Sequence, residues 1–203
     1  MSRRIESKRL VLATHNPKKL EEFRALFKSY DIEVVSAGAL NLPEPEEIGA
    51  TFEENAILKA HAAAEATGEI ALADDSGLCV KGLNGDPGIY SARWAVQEDG
   101  SKDFKIAMQK VNEGIGDNAD RSAAFVAVLS LVWPNGHSEI FRAECKGTLI
   151  WPPRGDYDFG YDPMFCPGDE PQTFGENPAL KDKYSHRHLA FEKLAEACLL
   201  KKR

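Results

Sequence analysis

Leu10-Val11-Leu12-Ala13-Thr14-His15-Asn16-Pro17-Lys18-Lys19-Leu20 is the stretch on which the reading of this chain turns. The apolar run Leu10 to Ala13 passes through a polar cluster into a pattern that sets Leu20, Phe23, Leu26 and Phe27 on one side of a helix. That change of periodicity is a strand-to-helix turn. Asn16 suits the N-cap, and Pro17 suits the first helical position, where its missing N–H is no loss. Such a turn presents unpaired backbone N–H groups and a positive dipole end to an anion. Thr14, His15 and Asn16 would line it, and Lys18 or Lys19 would neutralise charge. Taken alone, the pattern is more often an ordinary capped helix with solvated lysines.

Working outward, Ile32 to Ser36 and Ile70 to Asp74 read as short apolar strands, and Pro17 to Lys28 and Thr51 to Ala66 as helices. Thr51-Phe52-Glu53-Glu54 has the form of a capping box, which places Asn55 and Lys59 one turn apart on the same helix face. Strand, helix, strand, helix, strand is an α/β opening. Ala123 to Trp133 is too apolar and β-branched for a surface helix. With Pro134-Asn135-Gly136 and Glu139 to Lys146 it makes a long antiparallel hairpin. A last helix is expected from about Ser185 to Leu200, with Leu189, Leu194 and Ala197 inward. The expected fold is therefore α/β: an elongated mixed central sheet with a long antiparallel hairpin, flanked by helices, two lobes around an active-site cleft, and residues 1–203 forming a single domain.

The 203 residues, 43% hydrophobic and 28% charged, are enough to bury a full core. A net charge of −7 argues against binding a nucleic-acid backbone, which needs a basic excess over many phosphates. A small polyanion can still bind in a local basic pocket. Met1 to Lys8 is polar, with no apolar segment of signal-peptide or membrane-spanning length, so no membrane partner and a cytoplasmic location are expected. Cys79, Cys145, Cys166 and Cys198 lack C-x-x-C spacing, and free, mostly buried thiols are expected.

Ala73-Asp74-Asp75-Ser76-Gly77 carries the strongest chemical signal. Two carboxylates at the end of a buried strand are costly unless paired, hydrogen-bonded or bound to metal, so a cation is expected nearby. Successive strand residues point to opposite faces, so the two acids should have different tasks. An Asx turn is the bland alternative, and the segment alone favours neither. Glu44-Pro45-Glu46-Glu47 supplies a second acidic segment. Hard oxygen ligands from two separate segments are what Mg²⁺ uses beside substrate phosphates.

The stretches Thr14-His15-Asn16 with Lys18, Thr51 to Ala56 with Lys59-Ala60, Ala73 to Leu78, Gly85-x-Pro87-Gly88-x-Tyr90-Ser91-Ala92-Arg93, Phe159-Gly160-Tyr161-Asp162-Pro163-x-Phe165, Thr173-Phe174 and Ser185-His186-Arg187 together resemble the inosine triphosphate pyrophosphatase family. The likeness runs in order along nearly the whole chain. It implies Mg²⁺-dependent hydrolysis of deaminated purine nucleoside triphosphates (ITP, dITP, XTP) to the monophosphate and pyrophosphate, by a homodimer. It implies that the triphosphate lies on Thr14, His15, Asn16, Pro17, Lys18 and Lys19 with Lys59 nearby. Asp75 becomes the general base and a metal ligand, with Glu46 as second acid and Glu47 as its alternate. Ser76 would contact the nucleotide, Phe159 would stack on the base, and Gly160, Tyr161 and Asp162 would shape its pocket. Lys181, His186 and Arg187 would read the base. An apolar, aromatic-rich hairpin from Ala123 to Phe141 is the one feature of the residues themselves that suggests a homodimer.

Departures from the family pattern fall at His15, where a small residue is usual, and at Leu180, where an acid usually precedes Lys181. Choosing Lys181 over Lys183 therefore rests on spacing. Two alternatives stay open: a related pyrophosphatase acting on other modified nucleotides, which Ser185-His186-Arg187 disfavours, and a non-catalytic nucleotide-binding module, for which the paired acids would be superfluous.

Overall fold

The apolar run at Leu10 becomes β1 (Arg9–Leu12), and the Asn-Pro step starts α1 (Pro17–Phe27). Asn16 Oδ1 accepts from the amides of Lys18 at 2.9 Å and Lys19 at 3.4 Å, and Phe23 and Phe27 are the residues α1 buries. The computed structural model describes residues 2–156 and 159–199, the side chain of Asp182 excepted. After α1 come β2 (Glu33–Ser36), α2 (Phe52–Thr67), β3 (Ala71–Val80), α3 (Phe104–Ile115), β4 (Ser122–Val132), β5 (Ser138–Leu149), β6 (Phe165–Pro167), α4 (Leu180–Tyr184) and α5 (His186–Cys198). The strands form one mixed sheet in the order β2-β1-β3-β4-β5-β6. β1 pairs parallel with β2 and β3, and β5 pairs antiparallel with β6. The mixed α/β expectation holds.

β4 and β5 form the expected hairpin, closed where Trp133 N–H donates to the His137 carbonyl at 2.9 Å. Gly136 there has φ of 84°, a region glycine enters without a Cβ clash. Phe125 to Trp133 are all buried within the single chain, because β4 lies inside the sheet between β3 and β5. The apolar run on β4 that suggested a partner subunit is thus already covered, while Ile140 on β5 is exposed.

Two compact units divide the chain. One holds the chain up to Asp75, Ala127–Arg142 and the chain from Ala190; the other holds Ser76–Val126 and Ala143–Leu189. In the first, Ala60, Ala63 and Ala64 of α2 pack on Val11, Ala71, Ala73 and Val132. Small side chains let the helix close tightly on the strands, and this draws Asn55 and Lys59 on the same face into the interior. In the second, Leu78, Val111, Phe125, Met164, Phe165 and Phe174 are part of one apolar cluster, with the rings of Phe125 and Phe165 at 4.6 Å.

Two further expectations need correction. The acid pair does not end a strand: β3 runs on through Asp74, Asp75, Ser76 and Gly77 to Val80, so no Asx turn forms. Gly77 allows this, since a Cβ there would run into the Gly88 carbonyl. The inward face of α5 is Ala190, Phe191, Leu194 and Cys198, whereas Leu189 and Ala197 are only half-buried. Phe191 sets that face by packing edge-on against Phe27, ring centroids 4.9 Å apart. The expected helix end at Leu200 lies outside the described residues. Among the described residues no helix is long and apolar enough to cross a membrane.

Candidate active site

Thr51 caps α2, its Oγ1 accepting from Glu54 N–H at 3.1 Å, and about two turns beyond the cap the helix carries Lys59. The Lys59 side chain is almost wholly buried, and Nζ donates to Glu47 Oε1 at 2.6 Å, Asp75 Oδ1 at 2.8 Å and the Asp74 carbonyl at 3.2 Å. All three of its protons are thus engaged. Burial alone would lower the Lys59 pKa, but the charges of Asp75 and Glu47 outweigh it and leave the value raised. For Asp75 the balance tips the other way: burial pushes the carboxyl up, and Lys59 pulls it only partly back. Asp74 turns to the other lysine, with Lys19 Nζ at 2.7 Å from its Oδ2. The expected cations are therefore Lys59 for Asp75 and Lys19 for Asp74. Alternation along β3 sends the two acids to different partners.

Glu47 rather than Glu46 reaches this cluster. Exposure alternates along the loop, with Glu46 and Ile48 exposed and Glu47 and Gly49 turned in. A run of acids in sequence does not reveal that phase. Asp75 Oδ2 is buried and has no hydrogen-bond partner among the described residues. A buried, unsatisfied carboxylate oxygen is costly unless something binds it. Together with the nearby Glu47 carboxylate it fits a hard divalent cation, which takes oxygen donors and keeps several ligand positions for water and phosphate. No group of three or more His, Cys, Asp or Glu side chains that could hold a metal occurs among the described residues.

At the phosphate turn, Thr14 Oγ1 accepts from Asn16 N–H at 3.1 Å, which shapes the step into α1. Lys18 is exposed. The His15 imidazole points away from the turn, with Nε2 at 2.9 Å from the Leu42 carbonyl, so it does not crowd the amides. The set Thr14, Asn16, Pro17, Lys18, Lys19, Glu47, Lys59 and Asp75 lies wholly in the first unit.

His15 and Glu46 lie in that unit too, and the predicted residues from Ser76 to Arg187 lie in the second. Gly160, with φ of 64°, makes the turn in which Asp162 N–H donates to the Phe159 carbonyl at 3.2 Å. Tyr161 is buried, and its hydroxyl donates to the Ser91 carbonyl at 2.8 Å, so it supports the turn from inside the core. Asp162 is equally buried and meets Lys181 Nζ at 2.5 Å. The same ammonium lies 4.5 Å from the Phe159 ring centroid and 5.6 Å from that of Phe174, a cation–π arrangement. Lys183 is exposed and points to Glu170 at 3.6 Å. Ser185 caps α5, accepting from His188 N–H at 3.3 Å. This puts His186 and Arg187 in its first turn. Arg187 is buried and donates through Nη2 to Ser76 Oγ at 3.0 Å. His186 stacks on Phe125, with ring centroids 5.1 Å apart and planes 13° apart. Phe125 sits in an apolar strand that carries no signal of this task, so sequence reasoning misses it. All four cysteines are free, three of them buried, as expected.

Comparison with known proteins gives a consistent result. A profile of the Ham1 family matches residues 10–197. The chain is 49% identical over 211 residues to the dITP/XTP pyrophosphatase of Brucella melitensis biotype 1, covering 97% of this chain and 96% of that protein. It is 52% identical over 201 residues to the dITP/XTP pyrophosphatase of Zymomonas mobilis subsp. mobilis, with 97% and 95% covered. Its fold superposes on the structure of a HAM1 protein from Coxiella burnetii with a TM-score of 0.83 at 38% identity, covering 93% of this chain and 96% of that one. With the profile spanning almost the whole chain and half of all positions shared with such relatives, this protein belongs to the Ham1 family.

Proposed function

We propose that this chain is a dITP/XTP pyrophosphatase that uses Mg²⁺ to hydrolyse ITP, dITP and XTP to the nucleoside monophosphate and pyrophosphate, removing deaminated purines from the nucleotide pool. The observation that carries the reading is Asp75: a buried carboxylate with one oxygen on Lys59 beside Glu47, and the other without a hydrogen-bond partner among the described residues. Relatives named dITP/XTP pyrophosphatase at about half identity support the substrate class.

In this reading the turn from Thr14 to Lys19 takes the phosphates, and Asp75 and Glu47 hold Mg²⁺. The cation offsets phosphate charge when bound. Asp75 orients a water and accepts its proton as the water oxygen bonds to phosphorus. The α–β anhydride P–O bond breaks, and its electron pair leaves with the departing pyrophosphate. Lys59 and Lys19 bring positive charge to that anion. Phe159 stacks on the base, while Lys181, Arg187 and a suitably protonated His186 offer donors to the position-6 oxygen of hypoxanthine or xanthine. Lys and Arg have no acceptor for the amino group of adenine, so ATP is disfavoured. A homodimer is part of the reading on family likeness alone, and sedimentation tests it separately.

Incubation with Mg²⁺ and a panel of nucleoside triphosphates, followed by product identification, tests the reading. ITP and XTP should give the monophosphate with pyrophosphate, and excess chelator should abolish turnover. Orthophosphate release with accumulation of IDP would sink it.

A further inference from the structure

The loop that carries Glu47 is held by its backbone to the first turn of α2. Asn55 Oδ1 accepts from Gly49 N–H at 2.8 Å, and Glu54 Oε2 accepts from Ala50 N–H at 2.6 Å. The approach is close: a Cβ on Gly49 would lie 2.6 Å from Asn55 Oδ1 and 2.7 Å from Glu54 Cβ. Asn55 and Lys59 share one face of α2 a turn apart, so the loop meets the same stripe of helix twice. Its backbone is fixed at Asn55, and the Glu47 side chain is fixed at Lys59. Ile48 between them points outward, 75% exposed.

Asn55 is fully buried, and its Nδ2 has no hydrogen-bond partner among the described residues. Burying an amide with its donor unsatisfied is destabilising, and an apolar residue of the same size would avoid it. The acceptor half is what the fold uses, and it is spent on the amide two residues after Glu47. We infer that Asn55, assisted by Glu54, is a positioning residue that latches the acid loop and sets the Glu47 carboxylate for the metal. This rests on reading Glu47 as the second metal acid.

Mn²⁺ binding to the full chain, measured by electron paramagnetic resonance, tests the latch without relying on turnover. Asn55→Leu keeps the size and removes the acceptor. Groups that hold a metal ligand in place are commonly worth a tenfold to hundredfold change in affinity, so Asn55→Leu should weaken Mn²⁺ by roughly that factor. Asn55→Asp, which keeps the acceptor, should bind at least as well as wild type. Because a buried change can disturb folding, Glu54→Ala and Glu54→Gln repeat the test at an exposed position. The alanine should weaken Mn²⁺ in the same direction by a smaller factor, and the glutamine should not.

The decisive comparison is in a Glu47→Gln background, where Asn55→Leu should cost nothing more if it acts through Glu47. Losses that multiply in that background, or wild-type Mn²⁺ binding by Asn55→Leu beside a weakened Glu47→Gln, overturn the latch alone. Wild-type binding and turnover by Glu47→Gln itself would remove the metal role of Glu47 and the latch with it.

Discussion

Around Asp74 and Asp75, buried carboxylates are answered by buried or half-buried ammonium groups at 2.7 and 2.8 Å. Around Phe159 and Arg187, a buried guanidinium donates to a neutral hydroxyl, and an ammonium lies over aromatic rings. The first set is dense in charge of both signs, which suits moving a proton and holding a cation against phosphate. The second is rich in donors and ring faces, which suits telling one planar base from another. Rate should therefore depend on the first and selectivity on the second, and substitutions in each can break that division.

Asp75→Asn should have the largest effect. The amide keeps the size and can still accept from Lys59, but it cannot take a proton and is a poor ligand for Mg²⁺. The kcat for ITP should fall by roughly a hundredfold to ten-thousandfold, with a thermal melt showing a folded protein. Near wild-type kcat would move the catalytic role elsewhere and dissolve the contrast.

Arg187→Ala addresses the other set. A site built around buried polar partners can reject a mismatched analogue by up to about ten-thousandfold, and one donor should account for about a hundredfold of that in the ratio of kcat/KM for ITP over ATP. The loss should fall on ITP and narrow the ratio. Equal losses for both substrates would make Arg187 a folding or phosphate residue.

How far this division was legible in the sequence differs between the sets. The strand-to-helix turn and the α2 cap could be read from local periodicity and capping chemistry, because nearest neighbours in the chain decide them. The Asp74–Asp75 pair could be recognised as costly, and so as needing cations, without knowing which. Glu47 could not be preferred over Glu46, because that choice is set by the phase of an extended loop pinned by Asn55 and Glu54. β3 could not be seen to continue past Asp75, since packing of the Gly88 turn on Gly77 overrides the turn preference of Asp-Ser-Gly. Phe125 was invisible for a related reason: a core strand residue acquires its place under His186 only through tertiary contact.

Stability should separate the two acids within the first set. The Asp74 side chain is 2% exposed and paired with Lys19, and removing one member of a buried ion pair leaves the other charge uncompensated. Asp74→Asn should cost about 3 kcal/mol in denaturant unfolding. Asp75→Asn should cost clearly less, because Lys59 keeps Glu47 as a carboxylate partner at 2.6 Å and burial already works against the charged form of Asp75. The reverse order would mean that Asp75, rather than Asp74, is the structural acid.

The pH dependence of that stability follows from the same imbalance. Burial raises the Asp75 carboxyl in the native state, with Lys59 opposing it, so the folded protein holds that proton more tightly than the unfolded chain. Its contribution is present below the ordinary carboxylate range and is lost as pH rises through the raised native value. Lys59 is raised as well, so its own contribution persists at neutral pH and fades only above the usual lysine range. A cation that binds ionised Asp75 should therefore increase Tm little at low pH and more as pH rises through that window. Melts with and without Mg²⁺ across the carboxylate range measure it, and a pH-independent gain would place the metal elsewhere.

Lys183→Ala should have the smallest effect, and for that reason it tests how sharply the second set is bounded. Lys181 and Lys183 are two residues apart in one short helix, so sequence spacing alone barely separates them. Their surroundings do: Lys181 is paired with buried Asp162 and lies over Phe159, whereas Lys183 is exposed and pairs loosely with Glu170. Exposed ion pairs of that kind contribute little. Lys183→Ala should leave both kcat/KM for ITP and the ITP-to-ATP ratio within about twofold of wild type, a range no wider than such a weak pair allows. Lys181→Ala should lower the ratio in the same direction as Arg187→Ala. If Lys183→Ala narrows the ratio instead, the base is read from outside the Phe159 turn, and selectivity does not belong to the aromatic set.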